Sequence, residues 1–335
     1  MLTNLGIYAS SQAGSRAPTI FSYQASGAPT ARVYFTFLNG TAIVNTATSL
    51  NSTSNYTSGD IWTSSTAAGT SLNTTYGITA ANGVVMKFGR YSAGTVAITR
   101  STDGGQTWVT ELNTASTGDY LIAGAYGDVS GTARWVSPVA GDNDVYLSTN
   151  NGDTWTVQSN VLGGTARTWC AATRFGTAFG VFADNTAYYT SETGVTWTLR
   201  TLPVAPGHES FRNFVAGSAE VMYLAATGGG TVVSYISTDL VNWSASGTVA
   251  VGNFDALNLA YGNGYWVIMR SDEAGVQDFV NAYYSASAGT VWTASSVTSG
   301  TGSFTNPEVA DLAYNPTDGG FYMMAGGDLW RAITI

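Results

Sequence analysis

RSTDGGQTWVT, residues 100–110, places an aspartate five residues before a tryptophan, with two glycines between them. In tight turns an Asp side chain accepts hydrogen bonds from backbone N–H groups, and Gly105 can adopt a backbone angle that other residues resist. Thr107 can add a hydroxyl hydrogen bond, and Trp108 can bury its ring at the start of the following segment. The stretch therefore predicts a tight turn between two strands, with Asp103 as the acceptor.

Similar stretches return along the chain, and each copy ends at a tryptophan. The copies end at Trp62, Trp108, Trp155, Trp197, Trp243 and Trp292. Successive tryptophans are 46, 47, 42, 46 and 49 residues apart, and a period in the mid-forties is typical of β-propellers with four-stranded blades. The spacing therefore predicts a repeat protein in which each unit is one blade.

The composition of each unit favours strands over helices. The unit that contains Trp292 has four short runs rich in β-branched and aromatic residues, separated by turn-forming residues: NLAYG, GYWVIMR, NAYYSAS and VWTASSV. No segment repeats its apolar residues with the helical period. We therefore expect an all-β fold.

The two ends of the chain decide the expected number of blades. After Trp292 the chain supplies three further runs and then stops before a fourth. Upstream of Trp62, a fourth run at Asp60–Thr66 is preceded by three others: TIFSYQA, ARVYFTFLN and TAIVNTATS. Residues 3–10, TNLGIYAS, could then pair as the outer strand of the last unit, which would hide the sheet edges.

These observations predict one domain over residues 1–335, a seven-bladed β-propeller of four-stranded antiparallel blades closed by the N-terminal strand. Residues 55–335 hold the repeats, and residues 1–54 supply a degenerate first blade and the closing strand. The alternative is six blades, with residues 1–54 as an N-terminal attachment arm.

The repeated stretch resembles the Asp-box, or BNR, repeat, S/T-x-D-x-G-x-T-W, which STDGGQTW matches in full. STNNGDTW has Asn150 in place of the aspartate, TSETGVTW has Glu192, and STDLVNW is one residue shorter but keeps Asp239. The copies that end at Trp62 and Trp292 keep little beyond Gly and Trp. The resemblance covers about residues 55–300.

In Asp-box proteins the boxes lie at the periphery of the blades, away from the ligand sites. The resemblance therefore implies structural roles for the box residues, which are Asp103, Gly105, Trp108, Asn150, Gly152, Trp155, Glu192, Gly194, Trp197, Asp239, Trp243 and Trp292.

The charge of the chain argues against nucleic-acid and membrane partners. Only 10% of the 335 residues are charged, the net charge is −9, and Lys87 is the single lysine, so no basic patch can neutralise phosphates. The N-terminal residues do not resemble a Sec signal peptide, and no run approaches a membrane span. Low charge, few lysines and many Ser, Thr, Gly, Tyr and Trp residues are common in virion and other extracellular proteins, so we expect a virion or extracellular location.

The candidate ligand site follows from the geometry of propellers. Loops that lead into the innermost strands share one face with loops that join the second and third strands, and by this rule 12 of the 21 acidic residues lie there. The candidate ligand-binding residues are Asp119, Tyr120, Trp169, Glu209, Phe211, Asp255 and Asp311. Carboxylates and aromatic rings can bind sugars, and two carboxylates can hydrolyse a glycoside. The same pattern also fits the solvated loop acids of any acidic propeller.

Other reactive residues offer no catalytic or metal-binding set. His208 is the only histidine, and Cys170 reads as a small buried apolar residue. We expect no metal and no cofactor. Asp-box propellers include sialidases, but their N-terminal Arg-Ile-Pro motif is absent, and SRAPTI at Ser15–Ile20 lacks the apolar residue between Arg and Pro.

The preferred hypothesis is a non-enzymatic structural or interaction module of an extracellular assembly. It would be a phage tail, fibre or decoration protein that docks on other virion subunits, is homo-oligomeric or mounted on a ring, and binds surface glycans. One alternative is a secreted propeller-type glycoside hydrolase or lectin. Another is an assembly factor similar to the Asp-box propeller that helps to build photosystem II.

Overall fold

The structure is a computed structural model of the chain. It describes the following residues: 19–23, 34–38, 41–45, 50–53, 63–65, 72, 74–91, 94–115, 120–163, 170–183, 185–207, 213–252, 256–271, 282–286, 288–295, 312–317, 319–325 and 328–333. Strands and turns make up this part of the chain. Among these residues no helix has the length and apolar character needed to cross a membrane.

The described strands form seven antiparallel sheets, numbered here along the chain. Sheet 1 contains β2 (Tyr34–Leu38), β3 (Thr41–Asn45), β4 (Leu50–Thr53) and β5 (Thr63–Ser65). Sheet 2 contains β6 (Thr74–Ala81), β7 (Val84–Arg90), β8 (Thr95–Ser101) and β9 (Val109–Ala115). Sheet 3 contains β10 (Tyr120–Leu121), β11 (Ala125–Val129), β12 (Thr132–Ala140), β13 (Val145–Ser148) and β14 (Thr156–Gln158).

The remaining sheets repeat the same order of strands. Sheet 4 contains β15 (Cys170–Phe175), β16 (Ala178–Ala183), β17 (Ala187–Ser191) and β18 (Thr198–Thr201). Sheet 5 contains β19 (Phe214–Ala216), β20 (Val221–Gly228), β21 (Thr231–Ser237) and β22 (Ser244–Ala250). Sheet 6 contains β23 (Ala256–Gly262), β24 (Tyr265–Ser271), β25 (Ala282–Ser285) and β26 (Thr293–Ser295). Sheet 7 contains β27 (Leu312–Asn315), β28 (Gly320–Ala325), β29 (Asp328–Ile333) and β1 (Thr19–Tyr23).

An N-terminal strand completes the last sheet, but it is not the strand that the sequence suggested. β1 pairs antiparallel with β29, with Thr19 opposite Ile333 and Tyr23 opposite Leu329. The run at residues 19–25 was expected to open the first unit, and residues 3–10 to close the ring. Residues 3–10 lie outside the described residues, and sheet 1 begins at β2 instead.

The first strands of consecutive sheets lie side by side. β2 contacts β6, β15 contacts β19, β19 contacts β23, and β27 contacts both β23 and β2. This arrangement is a β-propeller, with the first strand of each sheet on the inside and the fourth at the periphery. Further strands could lie outside the described residues, so the count of seven blades stays a prediction.

The core lies between neighbouring sheets rather than within one layer. Second strands bury side chains on both faces, as in β7, where Val84–Phe88 are all buried. Fourth strands are more exposed: in β9 each residue is exposed or partly buried and none is fully buried, because the strand lies at the edge of its sheet. One cluster joins Met86, Phe88 and Ile98 of sheet 2 to Trp135 and Tyr146 of sheet 3.

The inner strand of sheet 3 is interrupted between β10 and β11. β10 and β11 both pair with β12, and residues 122–124 between them leave the ladder. The Ser137 hydroxyl donates a hydrogen bond of 2.8 Å to the Ala123 carbonyl in this gap. A Cβ atom on Gly77 of β6 would overlap the Ile122 carbonyl, so the two inner strands approach too closely there for any other residue.

Candidate functional site

The turn from Ser101 to Trp108 lies between β8 and β9, where the sequence places it. Asp103 accepts hydrogen bonds from the Gln106 and Thr107 amides at 3.0 and 2.9 Å, and from the Thr107 hydroxyl at 2.5 Å. Partial desolvation alone would raise the pKa of Asp103, but the hydrogen bonds from Thr107, Ser101 and Gln106 outweigh it and lower that pKa. Gly105 has a φ of +89°, in the region that favours glycine.

The next box turn, between β13 and β14, repeats these contacts with an amide in place of the carboxylate. The Asn150 side-chain oxygen accepts from the Thr154 amide at 3.0 Å, and the Asn150 amide group donates to the Thr154 hydroxyl at 2.9 Å. The Trp155 indole donates to the Gly152 carbonyl at 3.0 Å, as Trp108 donates to Gly105. The side-chain charge is therefore dispensable for this turn geometry.

The third box turn, which follows β17, is built differently. Ser191 occupies the place of Ser101, because its hydroxyl accepts from the Gly194 amide at 2.8 Å as Ser101 accepts from Gly105. The turn is one residue shorter, and Thr193 accepts from the Val195 amide at 3.3 Å. In this turn Thr193 is therefore an acceptor, a role that the sequence assigned to Glu192.

The fourth box turn, which follows β21, keeps its aspartate. Asp239 accepts from the Val241 and Asn242 amides at 2.8 and 2.7 Å, and from the Asn242 side chain at 2.7 Å. Desolvation opposes ionisation, but the hydrogen bonds from Asn242, Val241 and Ser237 lower the pKa of Asp239 to about 2. The Trp243 indole donates at 2.9 Å to the Tyr188 hydroxyl of the preceding sheet, rather than to its own turn.

The box tryptophans lie between sheets. Trp155, Trp197, Trp243 and Trp292 each pack in a cluster that includes residues of the preceding sheet. The Trp292 indole donates at 3.3 Å to the Ser234 hydroxyl of sheet 5. The observed contacts of the boxes are thus made within their own sheet or to the neighbouring sheet.

Little of the proposed ligand face falls within the described residues. Tyr120 is described, at the start of β10. The other candidates lie outside the described residues: Asp119, Trp169, Glu209, Phe211, Asp255 and Asp311.

Tyr120 belongs to an aromatic pair at the rim. Its ring stacks on Tyr76 of β6, with centroids 4.0 Å apart and planes 22° apart. The Arg90 guanidinium, at the end of β7, lies 5.8 Å from the centroid of Tyr76, within the range of a cation–π contact. All three side chains are half-buried. We call Tyr76, Arg90 and Tyr120 the rim cluster.

Tyr76 is a residue that the sequence analysis missed. The signal was present, because Tyr76 precedes Trp108 by 32 residues and Tyr120 precedes Trp155 by 35, which puts both near the start of an inner strand. Stacking across two inner strands depends on their close approach at Gly77, which the sequence does not reveal.

Two acidic residues that the sequence assigns to the ligand face, Asp142 and Asp144, accept hydrogen bonds at the loop between β12 and β13. Asp144 accepts from the Asn160 amide at 2.8 Å, and Asp142 accepts from the Asn143 amide at 2.7 Å. Burial, followed by the charges of Asp144 and Asp142, raises the pKa of Tyr146. Within the described part of the chain, no three His, Cys, Asp or Glu side chains are grouped so that they could hold a metal ion.

No protein-family model matches the chain, and no curated protein matches it. The resemblance to Asp-box repeats therefore stays a prediction. Solved structures do match over nearly the whole chain. The structure described as "YCF48 bound to D1 peptide" has a TM-score of 0.59 and 14% identity and covers 95% of each chain.

Two further structures show the same likeness. YCF48 from Cyanidioschyzon merolae has a TM-score of 0.59 and 14% identity, and covers 94% of this chain and 98% of its own. The Neurospora crassa Pan2 WD40 domain has a TM-score of 0.60 and 9% identity, and covers 91% of this chain and 89% of its own. At these identities the likeness concerns the fold, and it confirms the β-propeller.

Proposed function

We propose that this chain is a non-enzymatic interaction module that docks on a protein partner through the rim cluster. The observation that carries the proposal is the stacked pair of Tyr76 and Tyr120 with Arg90 beside it. Tyrosine and arginine are the residue types that dominate binding energy at protein interfaces. Stacking holds both rings in place before a partner arrives, which reduces the entropy lost on binding.

The nature of the partner site is suggested by a structural neighbour. One of the similar propellers is described with a peptide bound. By analogy, we infer that the rim cluster takes an extended segment of another protein. The net charge of −9 favours a segment that is neutral or basic.

The wider role that we propose is that of a virion protein in a phage tail, fibre or decoration layer. It would dock on other virion subunits, as a homo-oligomer or on a ring, and could meet surface glycans of the host. Support comes from the composition, with one lysine and a polar surface of few charges. A virion or extracellular location belongs to the same proposal.

The first test is mass spectrometry and electron microscopy of particles from the native source. A fixed copy number of this chain per particle is the expected result, and a free monomer absent from every particle contradicts the virion role.

The docking site is tested separately with Tyr120→Ser, which should lower incorporation into the assembly at least tenfold. Val109→Thr, on the exposed edge strand β9, is the matched control and should be incorporated normally. Normal incorporation of Tyr120→Ser would reject the rim cluster.

A further inference from the structure

A cleft of about 410 Å³ opens between sheets 4 and 5, at the periphery of the propeller. One wall is formed by Thr198 and Arg200 of β18 and by Thr196, two residues before the strand, which follow one another at alternate positions. The opposite wall is the fourth box turn, with Asp239 and Val241. These sheets do not include the rim cluster, which belongs to sheets 2 and 3.

The cleft is lined by groups that both donate and accept hydrogen bonds. Besides Thr196 and Thr198, three more threonines line it, namely Thr177, Thr190 and Thr193. Each hydroxyl is a donor and an acceptor at once. The lining therefore suits a ligand that carries many hydroxyl groups of its own.

Charged groups at the cleft are held by the surrounding structure. The Arg200 Nε atom donates to the Thr190 hydroxyl at 3.3 Å, which fixes the guanidinium against β17. The four hydrogen bonds that Asp239 receives within its turn hold its carboxylate in place. Glu192 adds a second carboxylate to the lining. The cleft thus offers a positioned donor, Arg200, and a positioned acceptor, Asp239, on opposite walls, while Glu192 follows β17 of the same sheet as Arg200.

An apolar surface completes the cleft. Val241 is 38% exposed at its edge, and Ala178 lies among its lining residues. Sugar rings combine hydroxyl groups with apolar C–H faces, so a site for them needs polar partners and an apolar patch together. Both are present within one cleft here.

We propose that this cleft binds a neutral oligosaccharide through one or two of its sugar units. The hydroxyls of the sugar donate to Asp239 and Glu192 and accept from Arg200, and the threonine hydroxyls supply bonds of either direction. An acidic sugar is disfavoured, because two carboxylates line the cleft and the whole chain carries a charge of −9. This inference goes beyond docking at the rim cluster and uses none of its residues.

The test is binding of the full chain to a panel of neutral and acidic oligosaccharides, followed by titration of the best neutral one by NMR. The double variant Thr196→Val with Thr198→Val removes two hydroxyls, keeps the side-chain volume and favours strands. We expect neutral members of the panel to bind and the double variant to raise the dissociation constant about tenfold. Arg200→Gln should act in the same direction.

Thr201→Val is the matched control, because Thr201 is exposed on the same strand but does not line the cleft. It should bind as the natural chain does. Three outcomes overturn the proposal: no neutral sugar binds at millimolar concentration, acidic sugars bind more tightly, or the double variant binds unchanged while its melting temperature stays normal. Incorporation of the same variants into the assembly reports on docking, so failure of the sugar site is distinguishable from failure of the proposed function.

Discussion

Two interfaces between neighbouring sheets are built around a box turn but are filled in different ways. Between sheets 2 and 3, the Arg100 guanidinium lies 3.2 Å from Asp153 of the next box and 3.6 Å from Glu111. Between sheets 4 and 5 the corresponding residue differs: in both sheet 2 and sheet 4 the third strand ends at a serine, and the residue before that serine is Arg100 in sheet 2 but Thr190 in sheet 4. The residue three after the tryptophan is Arg200 instead of Glu111.

The short Thr190 side chain cannot span the gap that Arg100 spans, and this leaves the cleft open. The second interface is instead held by aromatic rings. Tyr188, Phe182, Phe214, Tyr223 and Tyr235 stack in that order, with neighbouring centroids 3.7–5.1 Å apart. One repeat therefore closes its interface with charged side chains and another with stacked rings, which leaves the periphery of the second free for a ligand.

The largest effect is expected when the aromatic stack is broken. Phe182 is fully buried and contacts the rings of Tyr188, Phe214 and Trp243. Phe182→Ala should lower the free energy of unfolding by about 4 kcal/mol, through lost burial and the cavity left behind. Urea unfolding followed by tryptophan fluorescence measures this value.

The matched variant is Phe88→Ala at the first interface. Phe88 is also fully buried, but its aromatic partner among the described contacts is Trp155, at 6.4 Å. Among these contacts Phe182 makes two more ring contacts than Phe88, and each aromatic pair adds about 1 kcal/mol beyond burial, so Phe88→Ala should cost about 2 kcal/mol less than Phe182→Ala. Equal losses in the two variants would remove the distinction between the interfaces.

The second effect concerns the close packing of the first interface. Gly152 has a φ of +83°, and a Cβ atom there would overlap the Met86 methyl group of sheet 2. Gly152→Ala should cost about 3 kcal/mol, from backbone strain and overpacking together. Gly104→Ala isolates the strain, since Gly104 has a φ of +73° and open space where its Cβ would lie. If both variants lose the same stability by thermal unfolding, packing against Met86 contributes nothing.

The sequence indicated contacts within the box turns, such as those of Asp103 and Asp239, but not the contacts between sheets that fill the second interface. Asp103, its turn and Trp108 could be predicted because the contacts lie within eight residues. Glu192 was placed by its distance from Trp197, and the shorter turn moves the acceptor role to Thr193. The closing strand was placed at residues 3–10 because several runs near the N-terminus have similar β composition. The cleft could not be predicted, since it depends on which side chains fail to fill a gap.

The third effect is a pH dependence at sheet 2. Burial lowers the pKa of Lys87 from 10.5 to about 8, and its ammonium lies 4.1 Å from the centre of the Trp108 ring. Between pH 8 and 10.5 the unfolded chain binds the proton more tightly than the folded chain, so stability rises with pH in this window. The cation–π contact offsets part of the burial cost. We therefore expect the free energy of unfolding to rise by about 2 kcal/mol across this pH window, relative to Lys87→Met. Parallel stability curves for the two proteins from pH 7 to 10.5 would contradict this account.

The smallest effect comes from the charges that fill the first interface. Burial and the nearby Asp153 raise the pKa of Glu111, and Arg100 partly opposes this. Arg100→Met should cost about 1 kcal/mol at low salt. The loss should be larger at pH 7 than at pH 4. The pKa of Glu111 is raised in the folded chain, so ionisation of Glu111 lowers the free energy of unfolding as pH rises through that pKa, and Arg100 offsets part of this cost. Arg200→Met removes a hydrogen bond to Thr190, and Arg200 has no ion pair with any of the described residues, so this variant should cost less and be insensitive to salt. A salt-sensitive loss of unfolding free energy of the same size in both variants would show that charge closes the two interfaces alike. The exchange of Arg100 for Thr190 would then not explain the open cleft.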